Sequence, residues 1–164
     1  MRRIIYWIFI LALQVFVLNH LDISIYLVPQ VFIILLIGLR LDISRMLQIL
    51  IAFGVGLLID FFTSTPGINA SASLWLMVLR MAFLDRQDLK EHIANKQPYS
   101  LKVAGTPYLY TVSVLVVFYH LYIFWMESIG AIHWGKLLST TLISSVLALT
   151  IISILEYISL SRSE

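Results

Sequence analysis

The chain contains no cysteine, which excludes disulfides, thiolate metal sites and cysteine nucleophiles. Charge is sparse: Asp, Glu, Lys and Arg make up 12% of the 164 residues, about half the share usual in a soluble domain. Helix breakers are scarce as well, with 7 glycines and 4 prolines, so long uninterrupted segments dominate. The remainder is apolar, with 60% hydrophobic residues and a mean hydropathy of +0.95. Such a composition excludes an ordinary soluble fold and indicates a polytopic membrane protein.

A helix needs about 20 apolar residues to cross ~30 Å of hydrocarbon. Runs of that kind predict six spans at about 4–19, 24–39, 43–62, 67–84, 107–126 and 134–158. The runs are continuously apolar, without the in-out alternation of membrane barrel strands, so an all-α integral membrane protein is expected. The opening "MRRIIYWIFILAL" has the charged and apolar regions of a signal peptide, but no small-residue cleavage site follows, and it reads as an uncleaved first helix. One transmembrane domain, 1–164, is expected. The longest polar stretch, 85–105, is far shorter than the ~40 residues a free-standing fold requires; its alternating charges suit a solvated face or a cytoplasmic partner.

Placing the N-terminus inside puts Arg2, Arg3, Arg40, Arg45, Arg80, Arg86, Lys90, Lys96, Lys102 and Arg162 on or near the inner side, against Lys136 outside. Cytoplasmic loops concentrate Lys and Arg, so both termini are expected in the cytoplasm. The net charge of +2 is spread over inner loops facing membrane lipid, not gathered into a patch, and implies no nucleic-acid partner. "LDIS" occurs at 21–24 and 41–44, and both copies read as helix starts, Asp and Ser being good N-caps. Pro29 and Gln30 predict a kink in the second span, its freed carbonyl satisfied by neighbouring helices.

The stretch "GVGLLIDFFTSTPGINASA", 54–72, keeps a carboxylate in an apolar run. Asp60 lies about 25 Å along its helix, at the outer interface, where it can reach water or headgroups. Gly54, Gly56 and the small residues at 70–73 permit close approach of two helices. Pro66 and Gly67 supply a turn, the glycine accepting a positive φ. Asp60 is expected to cap this hairpin by accepting from the turn; a ligand or ion, or a partner contact, is the competing role. His120 and Glu127 fall about 20° from one helix face. With His20, His133 and Asp60 they offer zinc-type ligands, yet no close histidine pair supports a metal, and inter-helix hydrogen bonds or interfacial placement are preferred. Arg80, four residues before its helix ends, is expected to snorkel to the inner interface, with Asp42 or Asp85 as possible partners.

These residues resemble the signature region of the rod shape-determining protein MreD family, in which a Gly-rich helix ends in Asp and a Gly turn leads into the next helix. "FYHLYIFWMES" and "LLSTTLISSVLALTIISILEYI" resemble the fifth and last spans of Bacteroidota-type members, so the resemblance covers essentially the whole chain. Gly56, Asp60 and Gly67 match the signature, and Asn69 and Arg80 match it more loosely. The resemblance implies a non-enzymatic inner-membrane scaffold of the cell-elongation machinery, regulating cell shape and needing no cofactor. Its partners would be an MreC-like single-span protein, MreB, RodA and a penicillin-binding transpeptidase of peptidoglycan synthesis. It also implies a fold similar to the S components of energy-coupling-factor vitamin transporters, so a vitamin-binding subunit is the alternative function. Little sequence lies in the outer loops, so contact with MreC would be mostly helix to helix. An intramembrane enzyme ranks last: the serines at 139, 144, 145 and 153 have no evident base.

Overall fold

The computed structural model describes residues 2–18, 29–129 and 133–161, the side chains of 2–4, 17 and 159–161 excepted. The first "LDIS", at 21–24, and His20 lie outside the described residues. Among those described, the regular elements are helices, with one isolated bridge between Arg40 and Pro98. Three helices are long and apolar enough to cross a membrane: α3 (Arg45–Thr63), α7 (Thr106–Glu127) and most of α8 (Trp134–Ser161). Shorter apolar helices are α1 (Arg2–Ala12), which continues as a π-helical turn over Leu13–Val17, and α4 (Ile68–Leu84).

The expected second span is not a continuous helix. Of its described part, only α2 (Ile33–Ile37) is helical, and Val31 through Ile37 are all buried. A segment apolar on every side satisfies a hydropathy window equally well as a span or as a short helix enclosed by others. Here it is enclosed: α2 packs against α4 and α7, while α3 pairs with α4 and α8 with α7. Phe32 meets Tyr119 edge to face at 5.7 Å. The polar stretch 85–105 carries two short helices, α5 (Lys90–Ala94) and α6 (Leu101–Ala104). It is tied across the end of α2, because Tyr99 N–H donates to Leu39 O at 3.3 Å and Leu41 N–H to Gln97 O at 3.0 Å.

Local chemistry sets the ends of the long helices. Ser44 is the N-cap of α3 and accepts from Leu47 N–H at 3.4 Å. The neighbouring Asp42 is taken by Arg40 through bonds of 2.9 and 2.6 Å, and this hydrogen bonding holds the Asp42 carboxyl below the usual carboxylate range. α3 stops where Ser64 takes a left-handed φ of 55°, and α4 starts after Gly67 at φ 81°. The bundle therefore has a hairpin end, carrying residues 64–67, and a loop end, carrying residues 85–105.

Candidate functional site

Two polar knots organise the interior. The first sits at the hairpin end. Gly67 offers α4 no side-chain cap, leaving the first amides of the helix without partners. Asp60, from the last turn of α3, supplies what is missing: Oδ1 accepts from Asn69 N–H at 2.9 Å and Oδ2 from Ala70 N–H at 2.8 Å. Oδ1 also accepts from Asn69 Nδ2 at 3.1 Å and from Thr65 Oγ1 at 2.5 Å. A negative charge at a helix N-terminus is further favoured by the peptide dipoles. Asn69 then passes the network inward, its Oδ1 accepting from Tyr119 Oη at 3.1 Å.

This arrangement corrects the expected exposure of Asp60. The residue is 4% exposed; four protein donors replace the water or headgroups it was expected to meet. Burial is possible because α3 and α4 come very close at Gly56. A Cβ built there would lie 2.5 Å from Ala70 Cα and 2.7 Å from Asn69 O. Gly54 is different, with nothing within 4 Å of its Cβ position, so it plays no part in the approach. Pro66 is exposed within the turn.

Gly56→Ala is expected to destabilise the protein by about 1–3 kcal/mol, the usual range for overpacking, because the obstructing atoms are backbone and cannot rotate away. Gly54→Ala is expected to be neutral or slightly stabilising through helix propensity. Equal detergent melting of the two variants would contradict the close-approach role.

The second knot clamps both ends of the buried α2. At its start, Gln14 from the π-helical turn accepts at Oε1 from Val31 N–H (2.7 Å) and Phe32 N–H (3.4 Å), and its Nε2 donates to Pro29 O at 3.3 Å. His120 accepts from Gln30 N–H at Nε2 (3.1 Å) and lies 2.8 Å from Val116 O through Nδ1. These two partners fix a neutral ring with its proton on Nδ1. At the other end, Arg80 donates from Nε to Ile37 O (2.8 Å), from Nη2 to Leu39 O (2.8 Å) and from Nη1 to Gln48 Oε1 (2.7 Å). Its guanidinium carbon lies 5.8 Å from the Tyr99 ring centroid.

Arg80 is therefore not at the interface: it is 0% exposed. Asp42 and Asp85, its expected partners, are held instead by Arg40 and by Arg45 (2.9 Å). The physical reason is the broken helix. Its last carbonyls have no intrahelical donors, lie away from water, and attract a cation to their dipole end. Snorkelling to the interface would leave Ile37 O bare and Leu39 O with Tyr99 N–H alone.

His120 and Glu127 also separate. His120 is 1% exposed, whereas Glu127 is exposed near the end of α7, where with His133 and Lys136 it lines a cleft of about 210 Å³. Among the described residues, no three His, Asp or Glu side chains gather into a metal-sized group. Sequence reasoning missed Gln14, Gln48, Tyr99 and Tyr119. For Gln14, Gln48 and Tyr119 a signal was present, since each places a polar group inside an apolar run, where an unpaired one is expensive; Tyr99, in the polar stretch 85–105, carried no such signal.

His120→Leu is expected to cost about 1–3 kcal/mol by leaving the buried Gln30 N–H without an acceptor. Unchanged thermal unfolding in detergent would show that this amide finds another partner.

What this interior can do chemically is hold backbone. Its carboxylate, imidazole and guanidinium each engage main-chain atoms of another segment. Compared with known proteins, the chain matches no family model, and no curated protein or solved structure shows significant similarity to it.

Proposed function

We propose that this protein is a non-enzymatic scaffold subunit of the cell-elongation complex, of the kind its MreD-like sequence implies. In this reading it crosses the bacterial inner membrane six times with both termini in the cytoplasm, the second crossing being the broken segment that carries α2 enclosed among the other helices, and resembles the S-component fold. It holds an MreC-like protein in the membrane and, through it, the RodA and transpeptidase machinery that MreB organises. One observation supports the reading above the others: the residues that carry the resemblance, Gly56, Asp60, Gly67 and Asn69, meet in one knot whose carboxylate is fully engaged within the chain. They act as architecture, fixing a rigid hairpin whose outward side chains, Phe61, Phe62 and Trp75, are exposed. A rigid helix pair with aromatic side chains facing outward suits helix-to-helix contact with a single-span partner.

The test is mild crosslinking in native membranes, followed by purification of the tagged protein and mass spectrometry. Recovery of an MreC-like protein together with wall-synthesis enzymes, through positions on the α3–α4 hairpin, is the expected result. Recovery of transporter ATPases or a bound vitamin would overturn it in favour of a substrate-binding subunit.

A further inference from the structure

Among the described residues, Asp60 and Glu156, carboxylates buried and half-buried within the long helices, are treated very differently. Asp60 has four donors. Glu156, half-buried near the end of α8, accepts from the Tyr108 hydroxyl alone, and no other hydrogen bond or ion pair reaches it among the described residues. It stands roughly 33 Å along α8 from Trp134 at 1.5 Å per residue, which is the loop end of the bundle and the depth of a headgroup layer. There α1, the buried segment, residues 98–100 and α8 surround a cleft of about 470 Å³, a volume typical of small-ligand sites at about 300–1,000 Å³.

The lining has a definite chemistry. Glu156 shares it with two aromatic side chains, Tyr6 and Trp7, and with Arg40, while Tyr99 lines it as a buried ring already packed against Arg80 and Tyr108. A carboxylate among aromatic rings is the environment that accepts an organic cation, through charge and through attraction to the π faces. Arg40 spends Nε and Nη2 on Asp42, and its Nη1 carries no bond among the described residues, leaving a donor for a phosphate oxygen. The remaining wall is mostly apolar, with the half-buried Ile43 available to acyl chain.

We propose that this cleft is a headgroup site for a phospholipid with a primary ammonium, the ethanolamine class. The ammonium donates to the second Glu156 oxygen and rests among the aromatic rings, while the phosphate lies toward Arg40. A choline headgroup carries the charge but has no N–H to give the carboxylate. A glycerol headgroup leaves the lipid net negative, facing Glu156 without a compensating cation. The site is independent of the scaffold role, and its test involves no protein partner.

The full chain, purified in detergent, is titrated with phosphatidylethanolamine, phosphatidylcholine and phosphatidylglycerol of identical acyl chains, and the bound lipid is counted by native mass spectrometry. Ethanolamine lipid is expected to be retained about five-fold or more over either competitor, and Glu156→Gln is expected to reduce that ratio to about one. Equal retention of the three lipids overturns the proposal, as does a preference for choline or one that survives Glu156→Gln. If the Glu156→Gln protein is not recovered as a monodisperse peak, Trp7→Leu carries the test. It keeps the carboxylate but removes a ring, and the ratio is expected to fall about two-fold; an undiminished ratio there overturns the cage.

Discussion

Arg80→Met is expected to be among the most damaging single substitutions in this chain, lowering stability by about 3 kcal/mol or more. Methionine has a similar length and removes a charge that burial disfavours, so desolvation alone would predict a gain. The opposite is expected because the partners stay behind: Ile37 O, Leu39 O and Gln48 Oε1 each lose a donor in a region closed to water. A buried acceptor stripped of a charged donor costs about 1.5–3 kcal/mol; Ile37 O and Gln48 Oε1 are left with no other hydrogen bond among the described residues, and Leu39 O with Tyr99 N–H alone. Arg80→Lys is expected to recover only part of the loss, since a compact ammonium on a flexible stem cannot span three acceptors as a planar fork does. Reversible unfolding in mixed detergent gives the ordering: wild type, Lys, Met. Because the chain has no cysteine, a single cysteine at Gly38 gives a second readout, its labelling rate rising when the end of α2 comes loose. A Met variant as stable and as slowly labelled as the parent would mean that the carbonyls are satisfied without the guanidinium.

The contrast between Arg80 and Asp60 also shows how far the sequence could be read. Apolar length and flanking turn residues placed α3, α4, α7 and α8 within a few residues of their bounds, because these helices obey the local rules of capping and hydropathy. The hairpin was legible for the same reason: a Gly turn with a carboxylate one turn before it is a pattern of neighbours in the chain. The buried segment was not. "QVFIILLIG" is apolar all round, and hydropathy is the same whether its surroundings are lipid or protein. What separates the two cases is the supply of side-chain donors and acceptors for a broken helix's ends. Those come from Gln14, His120 and Arg80, 15 to 90 residues away in sequence from the groups of this segment that they bind. Arg80 was placed by its distance from a helix end, a local rule. Carbonyls 41 and 43 residues away outweighed it. The polar residues stranded in apolar runs were the available signal, since each needs a partner and no neighbour in the chain provides one.

Asp60 is the second position where one atom decides the outcome. Asp60→Ala is expected to destabilise the α3–α4 hairpin by about 2–4 kcal/mol, combining a lost helix cap with orphaned donors. Asp60→Asn is expected to be nearly as harmful despite its identical shape. Oδ1 and Oδ2 both accept from main-chain N–H groups, at 2.9 and 2.8 Å, and a carboxamide has one oxygen for the two of them. Whichever way it turns, its NH2 meets a donor. Asn69→Ala is expected to be milder, at about 1 kcal/mol, because the backbone amide of residue 69 stays bonded to Asp60 and only the side-chain bonds to Asp60 Oδ1, Thr65 and Tyr119 are lost. A double-mutant cycle between Asp60→Ala and Asn69→Ala should return a coupling of about 0.5–3 kcal/mol, as contacting residues do. If Asp60→Asn melted with the parent, one acceptor would suffice for the cap. The second oxygen and the charge would then have to serve something outside the hairpin, and the ion- or ligand-binding reading of this carboxylate would displace the architectural one.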